Sequence, residues 1–143
     1  MRYELIIFDW DGTLMNSVPK IVACMQAAAM DAEWGELDVS AIEDIIGLGL
    51  PEAIAKLCPG IASEQAERLR QRYSHHFVEG NTTPMPFFDG VEAQLARLRE
   101  RPQQRLAVAT GKSRRGLDRI FRETGSGEFF HASRTADETR SKP

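Results

Sequence analysis

Asp9 and Asp11, separated by Trp10 and followed at once by Gly12, place two carboxylates close together on a short stretch of backbone. Carboxylates this near repel, and a divalent cation or a shared proton is the usual compensation. Mg²⁺ suits the pair because it takes one or two protein carboxylates and fills its shell with water and phosphate oxygens. With a phosphate ester present, one acid can attack phosphorus while the other exchanges a proton with the leaving group. A second set of groups lies in Thr110-Gly111-Lys112-Ser113, where a hydroxyl and backbone N–H groups enter a helix, an arrangement suited to a phosphate oxygen. Alone, an Asp-Gly pair is an ordinary turn and Thr-Gly after a strand an ordinary helix start, so the chemistry rests on the two occurring together.

Both sets follow apolar runs. Leu5-Ile6-Ile7-Phe8 reads as a strand buried on both faces, which puts Asp9 and Asp11 at its carboxyl end, where open α/β sheets bind their ligands. Gly12 lets the backbone turn away sharply. Residues 105–110 form the second strand and residues 129–132 a short third one. Between the first two strands the pattern is helical. Ser17 caps a helix with Pro19 in its first turn and Ile21, Val22, Met25, Ala28 and Ala29 at helical spacing. Ser40 to Glu43 offers a capping box, Gly47 ends that helix, and Pro51 starts the next. Ser63 opens a helix in which Ala66, Leu69, Tyr73 and Phe77 share a face until Gly80. The His75-His76 pair lacks the i, i+4 spacing that puts two imidazoles on one face, so it reads as structural. After the Pro- and Thr-rich stretch 81–86, Asp89 caps a helix carrying Val91, Leu95 and Leu98, and Leu117, Ile120 and Phe121 mark another that ends at Gly125. The expected organisation is a core of residues 1–15 and 86–143 with a helical insertion at 16–85.

The composition narrows the function classes. Over 143 residues, 42% are apolar and 27% charged, which is ordinary for a globular domain. A net charge of -3 argues against a nucleic-acid partner, and the basic clusters at 97–101 and Arg114-Arg115 read as solvated helix faces. Cys24 and Cys58 have neither zinc-site nor disulfide spacing and read as small core residues. The amino-terminal apolar run is too short for a signal peptide or a membrane span, so the expected location is the cytoplasm.

Asp9-Trp10-Asp11-Gly12-Thr13-Leu14 resembles the first motif of the haloacid dehalogenase superfamily of phosphohydrolases. That resemblance implies an α/β fold, a partial doubly wound parallel sheet of Rossmann-like type with an inserted all-helical cap, close to the phosphoglycolate phosphatase subgroup. It implies that Asp9 is the nucleophile that becomes an aspartyl-phosphate. Asp11 is then the general acid and base, offering its backbone carbonyl to Mg²⁺. Thr110 matches the second motif, whose hydroxyl holds the transferring phosphoryl group, with Gly111 beside it. Lys142, followed by Pro143, matches the third motif, whose ammonium neutralises charge on nucleophile and phosphoryl group. Asn16-Ser17 departs from the Asp-Ser that often follows the first motif, outside the reacting centre. Gly47 and Leu48, in a turn of the cap, are candidates to face the substrate.

A fourth motif, with acids that complete the metal shell, is expected after Lys142 in this family. Its lack leads to the expectation of a carboxyl-terminally truncated portion of a phosphatase, inactive or weakened in Mg²⁺ affinity, with residues 4–8 at an exposed apolar sheet edge. The implied activity is hydrolysis of a small phosphorylated metabolite. The alternatives are a phosphosugar mutase, a phosphonate hydrolase of the same superfamily, or a non-catalytic module that self-associates or docks a missing segment through that edge.

Overall fold

A computed structural model describes residues 4–138; Lys142 therefore lies outside the described residues. The chain divides into two units, one joining the segment before Ser17 to the segment after Pro86, the other being Ser17–Pro86.

The first unit is α/β. Strands β1 (Leu5–Phe8), β2 (Arg105–Ala109) and β3 (Ala132–Arg134) form one parallel sheet in the order β1-β2-β3. The register pairs Phe8 with Val108 and Ala109 with Arg134, so all three strands deliver their carboxyl ends to the same side. Helix α5 (Val91–Arg99) precedes β2 and α6 (Arg114–Thr124) follows it, as a parallel connection requires.

The strand β2 is buried along Leu106, Ala107 and Val108. By contrast β1 is not buried on both faces as its composition suggests. It is an edge strand among the described residues, paired only with β2, and Leu5 and Ile7 on one face are 52% and 60% exposed. An apolar run signals burial only if the chain supplies layers to cover it, and the exposed apolar edge expected at residues 4–8 is what the described residues present.

Two local details of this unit differ from the sequence expectations. Gly90, in the left-handed region at φ 83°, takes the N-cap position of α5 in place of Asp89. The apolar pair Phe129-Phe130 lies ahead of the third strand, because Ser126–Phe129 winds into a 3₁₀ turn and β3 begins at Ala132. Phe130 instead turns inward, stacking on Phe121 at 5.8 Å and meeting Trp10 edge-on at 6.0 Å.

The second unit is all helical: α1 (Val18–Asp31), α2 (Val39–Asp44), α3 (Leu50–Leu57) and α4 (Ser63–His75). Its core gathers Met25, Ala28, Ile42, Ile54, Leu69 and Phe77. Both cysteines are buried there as free thiols. Asp38, not Ser40, holds the N-cap position of α2, and the Ser40 hydroxyl donates to the Asp38 carboxylate. Past His75, α4 widens into a π-helical turn, His76–Gly80, closed by the Asn81 N–H donating to the His76 carbonyl at 2.8 Å. His76 Nε2 lies 2.7 Å from Asp31 Oδ2, and Arg72 Nε is 2.9 Å from the same oxygen. The side-chain hydrogen bonds of His76 first, then of Arg72, hold the Asp31 carboxyl below the usual carboxylate range. Among the described residues no helix is long and apolar enough to cross a membrane.

Candidate functional site

The turn after β1 is built around Trp10. Its carbonyl accepts the N–H groups of Thr13, Leu14 and Met15, and Gly12, at φ 78°, donates its N–H to the Met15 carbonyl at 2.9 Å. The indole is fully buried and meets Phe87, Phe121 and Phe130 edge-on at 5.6–6.0 Å. The Trp10 backbone N–H donates to Asp9 Oδ1 at 2.8 Å, which orients that carboxylate. Asp9 is exposed, whereas the Asp11 side chain is only 13% exposed.

Thr110 leaves β2 one strand away. The register ends at Phe8–Val108, so Asp9 and Asp11 follow the last paired residue of β1 as Thr110 follows β2 on the neighbouring strand. Thr110 is 6% exposed; its N–H donates to the Arg134 carbonyl at 3.1 Å, and its Oγ1 accepts the Lys112 N–H at 3.1 Å. The Lys112 side chain then reaches Asp11, with Nζ 3.5 Å from Oδ1, and is itself 12% exposed.

The loop holding Thr110 and Lys112 is fastened on its far side. Ser113 caps α6 by accepting the Gly116 N–H at 3.1 Å, and the Lys112 carbonyl accepts the Ala136 N–H at 3.0 Å. Arg114 carries most of the remaining contacts. Its backbone N–H donates to Asp137 at 3.0 Å, and its guanidinium reaches both oxygens of Glu138, Asp118, and the hydroxyl and carbonyl of Ser133. Arg114 and the Thr135 N–H hold the Glu138 carboxyl down at about 2. The Thr135 hydroxyl bond, chief among the causes, lowers that of Asp137.

Asp9, Asp11, Thr110 and Gly111 thus meet at the carboxyl ends of two neighbouring strands. Gly47 and Leu48 lie in the helical unit, Gly47 at φ 105° in the turn after α2 and Leu48 packed against the helical core. Two residues of the site carry no role in the sequence reading. The contact of Lys112 with Asp11 depends on the pairing of β1 with β2, strands far apart in sequence. Arg114 sits in a basic cluster that reads as a solvated face, and only the fold brings Glu138 and Ser133 to it.

The donor set at the strand ends is carboxylate oxygen, which suits a hard cation such as Mg²⁺. No group of three or more His, Cys, Asp or Glu that could hold a metal occurs among the described residues.

A family model described as haloacid dehalogenase-like hydrolase matches residues 6–143. The chain is 26% identical to a phosphoglycolate phosphatase of Mannheimia succiniciproducens, over 92% of this chain and 66% of that protein. It is 28% identical to an N-acetylmuramic acid 6-phosphate phosphatase of Pseudomonas aeruginosa, over 100% of this chain and 64% of that one. The chain therefore spans just under two thirds of the length of these relatives. Among solved structures, one described as a haloacid dehalogenase-like hydrolase from Bacteroides fragilis superposes with a TM-score of 0.82 at 22% identity, over 98% of this chain and 66% of that one. A hydrolase from Pseudomonas syringae gives 0.80 at 22% identity, over 96% and 62%.

Proposed function

We propose a phosphomonoesterase, proceeding from the fact that the chain belongs to the haloacid dehalogenase-like hydrolase family. The observation that carries this reading is the placing of Asp9 and Asp11 at the end of β1 beside Thr110 at the end of the adjacent parallel strand β2. The substrate is a small phosphorylated metabolite, a class supported by the names of the phosphatase relatives.

Asp9, oriented by the Trp10 N–H, attacks phosphorus. The bond from its carboxylate oxygen to phosphorus forms as the bond to the ester oxygen breaks, and Asp11 gives its proton to the departing alkoxide. The aspartyl-phosphate is then cleaved by water, whose proton returns to Asp11. Thr110 Oγ1 and the N–H groups of the loop before α6 bind the phosphoryl oxygens through both steps. Asp9 and the backbone carbonyl of Asp11 would hold Mg²⁺, which would supply positive charge against the phosphate. Lys142 is assigned the ammonium that neutralises the nucleophile and phosphoryl group.

The helical insertion at 16–85, with Gly47 and Leu48 at one of its turns, is the substrate-selecting cap of a core formed by 1–15 and 86–143, and the protein works in the cytoplasm. A second reading, pairing of the chain with itself or another segment along β1, is favoured by the exposed Leu5 and Ile7 and is read from the dependence of mass on concentration. The phosphatase reading is tested by phosphate release from 2-phosphoglycolate by the protein in its full length. Release should require Mg²⁺ and vanish in Asp9→Asn; release that survives Asp9→Asn contradicts it.

A further inference from the structure

We propose that Lys112 is a specificity-determining residue that reads a second negative charge, a carboxylate, on the leaving group of the ester. The proposal deepens the phosphatase reading above and rests on it.

The Lys112 ammonium lies 3.5 Å from Asp11 Oδ1, with the two side chains 12% and 13% exposed. An ammonium this shielded from water is costly unless anions surround it. Asp11 is the side chain beside it, an anion once its proton has passed to the departing oxygen, and on the proposed mechanism it is the group that meets the ester oxygen as the alcohol departs. A proton donor reaches its acceptor at about 2.6–3.2 Å, so the Lys112 nitrogen lies within about 6–7 Å of the departing oxygen. A carboxylate one carbon from that oxygen is within the span of such a gap. The ammonium has three N–H donors on one nitrogen, enough to hold Asp11 and a substrate oxygen together.

The backbone of the same residue is engaged on the other side. Its N–H donates to Thr110 Oγ1, and its carbonyl accepts the Ala136 N–H, which pins the stem from which the side chain extends. The peptide of Lys112 therefore belongs to the phosphoryl end of the site, and its ammonium to the leaving-group end. A Lys that served only the phosphoryl group would act on every phosphate ester alike. One beside the proton donor discriminates by what the alcohol carries.

The test compares 2-phosphoglycolate with ethyl phosphate, which has the same two-carbon skeleton without the carboxylate, in the wild type, Lys112→Met and Lys112→Arg. Both turnover and equilibrium binding are measured on the full-length protein with Mg²⁺. The wild type should favour the acid ester. Lys112→Met should lower kcat/KM and affinity for it by about ten- to a hundredfold more than for ethyl phosphate, the range of one charge-assisted hydrogen bond. Lys112→Arg should restore part of the preference. Equal losses on both esters, or an unchanged preference in Lys112→Met, overturn the proposal. If wild-type protein binds both esters and hydrolyses neither, the phosphatase reading fails, and the binding preference alone then decides for or against Lys112.

Discussion

Arg114 Nη2 sits 2.9 Å from Glu138 Oε1, while the Arg114 backbone N–H donates to Asp137, so one residue at the start of α6 ties down the short turn Ala136–Glu138. That turn also donates the Ala136 N–H to Lys112, so the loop after β2 and the segment after β3 are fastened to each other.

The pairing has a signed pH dependence. Glu138 is lowered from 4.5 to about 2 in the folded chain, chiefly by Arg114, so its contribution is fully present above pH 4.5 and is lost as pH falls toward 2. Thermal melts of wild type and Glu138→Gln should differ most near neutral pH and converge through that window. A gap that stays constant down to pH 2 contradicts the assignment.

Trp10 should be the costliest residue of the turn to truncate. Its buried ring meets three other rings, and Trp10→Ala removes a volume that the neighbours refill only in part, at about 3–5 kcal/mol in chemical denaturation. Trp10→Phe keeps much of the aromatic packing and should cost distinctly less.

Gly12 adopts φ 78°, directly after Asp11. Gly12→Ala should cost about 1–2 kcal/mol from the Cβ clash in the left-handed region. The strain falls beside Asp11, the proposed proton donor, so phosphate release should drop while the fold persists by circular dichroism. Undiminished release would show that the turn is not needed to aim Asp11.

In the helical unit, Asp31 binds both His76 and Arg72. Asp31→Asn weakens both contacts; the carboxylate is partly solvated, so screening should keep the loss within about 1 kcal/mol. The difference from wild type should shrink in acid, because Asp31 is held below its ordinary 3.8 and its contribution fades as pH drops through the lowered value.

Much of this architecture was legible in the residues. Leu5 to Phe8 and Leu106 to Val108 announced strands because apolar runs ending in chemistry-bearing residues belong to parallel sheets. The helices before and after Gly47 and Gly60 followed from apolar period and glycine stops. The errors arose where local signals compete. Phe129-Phe130 looked like strand, yet the cluster around Trp10 draws Phe130 inward and β3 starts later. Asp38 displaced Ser40 as the cap of α2, since either side chain can serve there. The burial of β1 is set by its place in the sheet, which no window of four residues encodes. The places of Asp9 and Asp11 after β1 and of Thr110 after β2 could be read because each set follows an apolar run. The Asp11–Lys112 contact could not, because it depends on the register between strands far apart in sequence.

The most direct test of the central claim is to quench the full-length protein with acid during turnover of 2-phosphoglycolate in Mg²⁺ and locate phosphate on its peptides by mass spectrometry. The account predicts one phosphoryl group on the peptide containing Asp9, absent from Asp9→Asn and accumulating in Asp11→Asn if proton abstraction from water limits the second step. Phosphate release with no phosphorylated Asp9, or with the label on another residue, contradicts it.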